Sequence, residues 1–394
     1  MGGEPSAGAD ADAGPHGLSR LKVEPLFSGS KKWEWALRGL LGFLPAALVA
    51  DLAHVDPATV FLLAAVAIVP LSALLGRATE EYAAHAGPAI GGLLNATFGN
   101  AVELIIAVLA VSAGLFEVVK ASLTGSIVAN LLLILGMSML AGGAKHKTMT
   151  LHRRGTMNSL SLMTLSVIAL ALPALFYYSS LAPGVFAPGT APLPADEERA
   201  RLLALSLVVG AVMLAVYLLG LVYSLVTHKH LFHEEVPAEA AAWSKRKALA
   251  VMALATGGVA LMAEALVSSV EGLTSTLGLS ELFVGVVIVA IVGNAAEHST
   301  AILVALKNKM DLAFQIAAGS SAQIALFVAP VLIFYSFAIG RPMELVFEVF
   351  ELFAIAVAVA VAYAVSIDEE ANWFEGALLV GVYVIICAVF FVHP

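Results

Sequence analysis

Long apolar stretches separated by short polar runs dominate the chain from about residue 35 to its end. A helix needs about 20 apolar residues to cross the roughly 30 Å hydrocarbon core of a bilayer. By that ruler the pattern predicts eleven membrane spans, at about 36–53, 58–76, 88–115, 121–141, 156–179, 202–227, 248–270, 282–306, 312–339, 345–367 and 373–392. Span 1 is the least regular, because Arg38 and Pro45 interrupt it and Asp51 closes it. Polar residues inside the spans are few, and they recur. Gly99-Asn100-Ala101-Val102-Glu103 in span 3 is written again in span 8 as Gly293-Asn294-Ala295-Ala296-Glu297. Gly125-Ser126 in span 4 returns in span 9 as Gly319-Ser320, and every one of these positions is displaced by the same 194 residues. A constant offset of this kind is the mark of an internal duplication.

The connections between spans orient the chain. Lys31, Lys32 and Arg38 lie at the start; Lys145, Lys147, Arg153 and Arg154 lie between spans 4 and 5. Lys229, Lys245, Arg246 and Lys247 lie between 6 and 7, and Lys307 and Lys309 between 8 and 9. All fall on one side, and the positive-inside rule makes that side cytoplasmic. The other side carries Lys120, Arg199, Arg201 and Arg341 against Asp51, Asp56, Asp196, Glu197, Glu198 and Glu281. The N-terminus is thus expected in the cytoplasm and the C-terminus outside. Five crossings lead from span 3 to span 8, so the two motif copies run in opposite directions. The expected architecture is an all-α polytopic membrane protein, with one extra helix followed by two inverted five-helix repeats. Its expected parts are a disordered cytoplasmic tail at 1–34, the extra helix at 35–56, a first repeat at 57–228, a cytoplasmic linker at 229–247 and a second repeat at 248–394. Inverted repeats with matched polar residues are the layout of secondary transporters, whose site lies near the midplane.

Composition agrees with the pattern and removes other classes. Of 394 residues, 60% are hydrophobic and 12% charged, with a mean hydropathy of +0.94. Soluble domains carry about 25% charged residues, so the partner of most of this surface is the lipid bilayer. The net charge of −9, with no basic stripe outside the connections, is no nucleic-acid signature. The single cysteine, Cys387, excludes an internal disulfide. The first 30 residues, rich in Gly, Ala, Ser, Asp and Pro, lack the apolar core of a cleavable signal.

A carboxylate inside a membrane span costs about 2.5–3.5 kcal/mol at the helix centre and marks function by default. Gly99, Asn100 and Glu103 are expected to share one face of span 3, and Gly293, Asn294 and Glu297 one face of span 8, by their three- and four-residue spacing. Asn offers a neutral carbonyl oxygen and Glu an anionic one, while glycine lets another helix approach or exposes backbone carbonyls. Span 4 adds Ser126 and Asn130, and span 9 adds Ser320 and Gln323. Hard oxygens in this mixture suit a Ca²⁺-like ion, which takes 6–8 oxygen ligands. No cluster of Cys or His accompanies them, which disfavours zinc or copper. Two carboxylates in a low dielectric cannot both stay charged without a partner. One divalent cation cancels both charges, and so do two protons: this is the minimum machinery of an antiporter. His298, next to Glu297, is either a proton relay or a structural hydrogen-bonding residue. Among other acids, Glu264 inside span 7 is the strongest further candidate, and Glu80 at the end of span 2 could feed the site. Glu81 reads as a wet helix end, and Glu344, Glu348 and Glu351 as access from the outer face at most. The short linker with His228, His230, His233, Glu234, Glu235 and Glu239 reads as a solvated connection or a metal-sensing patch.

The strings GGLLNATFGNAVELIIA at 91–107, GSIVANLLLILG at 125–136, GNAAEHSTAI at 293–302 and GSSAQIALF at 319–327 resemble the calcium/proton exchanger family (the cation/proton exchangers) of the cation/calcium antiporter superfamily. The resemblance implies that the two Glu-bearing helices cross at the centre and that Glu103 and Glu297 bind Ca²⁺ and protons in turn. It further implies that Asn100, Asn294, Ser126, Ser320 and Gln323 line the site, with His298, Glu80 and Glu264 in support. The linker resembles the family's acidic regulatory segment but is shorter and mixed in charge. Sodium/calcium exchangers carry different repeat motifs, which argues against sodium coupling. The expected activity is export of cytoplasmic Ca²⁺ against protons, with both ions as transported substrates and no cofactor. A sodium/calcium or manganese/proton exchanger is the alternative. A cation channel or an intramembrane enzyme fits less well, since no HExxH or GxSxG motif is present. The tail and the lack of a targeting signal point to a prokaryotic plasma membrane, with an organellar membrane as the alternative.

Overall fold

The computed structural model describes residues 31–181, 194–228 and 241–393. The expected tail up to residue 30 and the linker residues His230, His233, Glu234, Glu235 and Glu239 lie outside the described residues. The described chain is almost all helix: α1 (Lys31–Leu40), α2 (Phe43–Leu52), α3 (Pro57–Ala86), α4 (Pro88–Phe98), α5 (Ala101–Ala113), α6 (Phe116–Gly143), α7 (Arg153–Leu181) and α8 (Ala195–Thr227). It continues with α9 (Lys245–Ser268), α10 (Val270–Leu277), α11 (Glu281–Gly293), α12 (Ala295–Ala305), α13 (Met310–Ala338), α14 (Val349–Ala364) and α15 (Trp373–Val392). Each of the eleven expected spans falls on helix. Eight helices among the described residues are individually long and apolar enough to cross a membrane. The exceptions carry the information. Spans 3 and 8 are not the continuous helices expected, since each is broken at its motif into α4 and α5, and into α11 and α12. Span 10 is the short α14 of 16 residues.

Local chemistry sets the helix ends. Asp56 accepts from Thr59 N at 3.2 Å with Pro57 at the first helical position, a strong N-terminal signal for α3. Ser280 caps α11 by accepting from Phe283 N at 3.2 Å. Asn372 and Glu375 form a reciprocal capping box on α15. Helix α3 runs ten residues past the expected end of span 2, which places Arg77, Glu80, Glu81 and His85 on its last turns.

Contacts between connections define two ends. The strand β1 (Met149–Thr150) pairs antiparallel with β2 (Glu370–Ala371), and Lys145 Nζ donates to Leu306 O at 3.2 Å. The connections after α6, α12 and α14 therefore meet at one end, called here the basic end for Lys145, Lys147, Arg153, Lys307 and Lys309. At the opposite end Arg341 Nη1 donates to Ser112 O at 2.7 Å and Lys120 Nζ to Val346 O at 2.9 Å. Small residues let the interior helices touch. A Cβ on Gly136 of α6 would lie 2.9 Å from Gly376 O of α15, and one on Gly376 only 2.6 Å from Gly136 O. Such backbone-to-backbone packing is the usual way membrane helices associate without a hydrophobic driving force.

Trp243, just before α9, is fully buried against the basic end of α3. Its backbone N–H donates to Glu81 Oε2 at 2.9 Å and its backbone carbonyl accepts from His85 Nε2 at 2.7 Å. The Arg77 guanidinium and the Lys247 ammonium stack on the indole at 4.8 and 4.6 Å from its centre. Glu81, also paired with Arg77 at 3.5 Å, is thus part of an anchor between the two halves. Trp243→Ala leaves a large cavity and removes the ring on which two cations stack. The expected loss is about 3–5 kcal/mol, read as a lower melting temperature of the detergent-solubilised protein. An unchanged melting curve would show that the anchor is not stabilising.

Candidate functional site

The two breaks fall on the asparagines of the repeated motif. Asn100 has φ −102° and ψ 20°, and Asn294 has φ −91° and ψ 9°; both precede the second half-helix as its cap residue without capping it through the side chain. Each carboxylate then sits on the first turn of a half-helix: Glu103 on α5 and Glu297 on α12. The helix N-terminus favours a negative charge there, and the carbonyl ends of α4 and α11 at the same breaks favour a cation.

The halves interlock through their glycines. A Cβ on Gly293 would stand 3.2 Å from Glu103 Cγ and 3.6 Å from its Oε1. A Cβ on Gly99 would stand 3.6 Å from Glu297 Oε1. Each motif glycine therefore makes room for the carboxylate of the other repeat, and the crossing pairs them reciprocally.

Around the carboxylates runs one hydrogen-bonded chain of side chains from α4–α5, α6, α11–α12 and α13. Gln323 Oε1 accepts from Asn100 Nδ2, and Asn100 Oδ1 accepts from Ser320 Oγ at 3.3 Å. Asn130 Nδ2 donates to Ser320 Oγ at 3.2 Å and to Asn294 Oδ1 at 3.3 Å. Asn294 Nδ2 donates to Ser126 Oγ at 2.9 Å. His298 Nε2 lies 3.2 Å from Asn130 Oδ1; an amide oxygen only accepts, so Nε2 carries the proton in this contact. Asn100, Asn294, Ser126, Asn130, Ser320 and His298 are all buried. The amides and hydroxyls are thus satisfied among themselves, but the acids are not. Both oxygens of Glu103 and Oε2 of Glu297 are buried and accept no hydrogen bond from the described residues. Buried polar atoms are almost always paired, so three bare carboxylate oxygens beside two helix carbonyl ends form a donor set that fits a hard cation. No group of three or more His, Cys, Asp or Glu among the described residues offers another.

Two π-helical stretches adjoin the network at matched places, Ala129–Ile134 in α6 and Ile324–Val328 in α13. Such bulges often sit at functional sites, and here they follow the Ser126 and Ser320 turns. Asn130, ranked in the sequence as a supporting residue, is the hub that joins both halves. Its counterpart in the second repeat is Ile324, so the duplication carried no signal for that role. The structure leaves Glu80 and Glu264 exposed on α3 and α9, outside the network. Glu351, expected at the outer face, is 1% exposed: it accepts from Thr124 Oγ1 at 3.0 Å and from Glu348 N at 2.8 Å in the capping box of α14. The Glu-x-x-Glu spacing was the available signal for that cap.

A model of the family described as sodium/calcium exchanger protein matches residues 57–226 and 247–392. The Ca²⁺/H⁺ antiporter of Aphanothece halophytica is 43% identical over 375 residues, covering 90% of this chain and 96% of that protein. The Ca²⁺/H⁺ antiporter ChaA of Bacillus subtilis strain 168 is 42% identical over 353 residues, covering 88% and 96%. Among solved structures, native YfkE superposes with a TM-score of 0.74 at 39% identity, covering 91% of this chain and 98% of its own. The H⁺/Ca²⁺ exchanger CAX shares the fold, with a TM-score of 0.63 at 17% identity over 92% and 93% of the two chains.

Proposed function

Because the chain belongs to the sodium/calcium exchanger protein family, we propose that it is a secondary antiporter that moves Ca²⁺ out of the cytoplasm in exchange for protons. The observation that carries the reading is the pair of acids, Glu103 and Glu297, with three buried oxygens bare at the crossing of two broken helices. Ca²⁺ takes 6–8 oxygens in flexible geometry, and this crossing offers two carboxylates, the Asn100 and Asn294 amides, the Ser126 and Ser320 hydroxyls, Gln323 and the carbonyl ends of α4 and α11. Gly99 and Gly293 supply the space in which each carboxylate reaches across. Protons compete for the same two acids, because either one divalent ion or two protons neutralises them. Asn130 and His298 hold the amides in register. The ions are substrates, and the reading calls for neither a cofactor nor covalent chemistry, so the protein is a transporter and not an enzyme.

Relatives named as Ca²⁺/H⁺ antiporters support the choice of ions. Assigning the basic end to the cytoplasm by its lysines and arginines places the N-terminus inside, and the bacterial relatives favour a prokaryotic plasma membrane. The parts of the chain follow the same scheme: an extra leading helix, then two inverted halves joined by the linker. The test is uptake into proteoliposomes holding the full chain. An imposed proton gradient, acidic inside, should drive Ca²⁺ uptake that saturates, while an outward sodium gradient at equal pH should not. Sodium-driven uptake without a pH difference would move the assignment to sodium/calcium exchange, and non-saturable flux to a channel.

A further inference from the structure

By the 194-residue offset, Gly125 of α6 corresponds to Gly319 of α13, and Gly285-Val286 of α11 corresponds to Gly91-Gly92 of α4. The corresponding positions are packed differently. At the opposite end, α6 and α11 are in backbone contact. A Cβ on Gly125 would overlap the Val286 carbonyl, and one on Gly285 would stand 2.5 Å from Ala121 Cβ and 2.9 Å from Val118 O. At the basic end, α13 and α4 have come apart at these positions. Nothing lies within 4 Å of a Cβ on Gly319. Gly92 instead rests on Leu225 of α8, whose Cδ2 would stand 2.5 Å from its Cβ, and Gly91 rests on Ala83 of α3.

Exposure follows the same division. Asn95 and Gly99 on the basic side are exposed, whereas their counterparts Val289 and Gly293 on the opposite side are buried. The structure is therefore looser and more exposed along α4 and closely packed along α11. An exchanger must seal one side before it opens the other, so this inference rests on the antiport reading. A duplicated fold supplies two arrangements of similar packing, related by exchanging the roles of its halves.

We propose that Gly319 is a positioning residue for closure of the basic end. In the closed state, α4 leaves Leu225 and lays the Gly92 backbone into the gap at Gly319, as Val286 now lies on Gly125. Gly91 then moves from Ala83 to Gln315, the counterpart of Ala121. Both members of the new contact lack a Cβ, so the backbones can meet as closely as α6 and α11 do now.

The test uses the full chain with Cys387→Ser, which removes the single native cysteine. In that background Gly92→Cys with Gly319→Cys is treated with a short bifunctional thiol reagent during exchange, and cross-linked peptides are identified by mass spectrometry. The pair should cross-link, lose exchange at least ~10-fold when linked, and regain it on reduction. A reduced pair that exchanges at the Cys387→Ser rate yet never cross-links overturns the proposal while leaving the antiport reading intact. Absence of exchange in the Cys387→Ser parent would instead count against that reading. If the pair is inactive when reduced, Gly319→Leu decides. A Cβ at Gly319 meets nothing within 4 Å in the present state, so Ca²⁺ should still raise the melting temperature while exchange falls at least ~10-fold. Gly381→Leu on α15, a glycine equally free of neighbours, is the control, and exchange by Gly319→Leu at its rate overturns the proposal.

Discussion

Glu103→Gln and Glu297→Gln are each expected to bring proton-driven Ca²⁺ uptake to the level of protein-free vesicles. Glutamine keeps the shape of the side chain, so the helices still cross, but it removes one of the two charges that a divalent ion and two protons both depend on. It also places a buried N–H₂ group where Glu103 now has two oxygens without donors. Breaking a buried charge set costs about 3–5 kcal/mol, and about 2.8 kcal/mol is already a 100-fold loss in affinity. Both variants should melt as cooperatively as the parent, and neither should show a Ca²⁺-dependent rise in melting temperature. Uptake at even a tenth of the parental rate by a well-folded variant would remove that residue from the site. Because the two carboxylates sit on opposite repeats, the double variant should be no worse than either single one: the ion needs both at once.

The second large effect is expected at a residue that carries no chemistry. Gly293→Val should raise the Ca²⁺ concentration for half-maximal uptake ~100-fold, with Gly293→Ala between it and the parent. A single Cβ would already stand 3.2 Å from Glu103 Cγ, tighter than ordinary contact, and Gly293 is buried with Glu103 as its nearest neighbour. The branched side chain must push the Glu103 carboxylate aside, and a misplacement of about 1 Å is worth ~100-fold where geometry carries the function. Uptake titrated against Ca²⁺ at fixed pH gradient measures this directly. An unchanged half-maximal concentration in Gly293→Val would mean that Glu103 does not reach the ion across this glycine.

Much of the molecule was legible in the residues themselves. Spans are local: each depends on about 20 consecutive transfer free energies, and all eleven lie on helix. The duplication was legible too, because Glu103 and Glu297 repeat with their Gly-Asn prefixes at a fixed distance. The helix breaks were the first loss. Gly-Asn is a weak helix-former, but in an apolar run its effect depends on whether the asparagine side chain finds better partners elsewhere. Asn100 finds Gln323 and Ser320, and Asn294 finds Ser126 and Asn130; all four lie on other helices. Glu264 shows a second limit: its apolar neighbours in the chain place it within a span but do not say which way it faces, and it is exposed on α9, because sequence neighbours on a helix face different directions.

The sequence alone determined the class, the apolar helical segments and the repetition of the Gly-Asn-Ala-x-Glu motif, since these follow from hydropathy and repetition along the chain. Only the tertiary structure decided that each acid crosses to the other repeat's glycine, that Asn130 joins the halves, and that Gly125 is packed while Gly319 is open. Those facts depend on which helix faces lie opposite one another. The twofold repetition could not reveal the last of them, because an equal pattern in two halves is compatible with either end being closed.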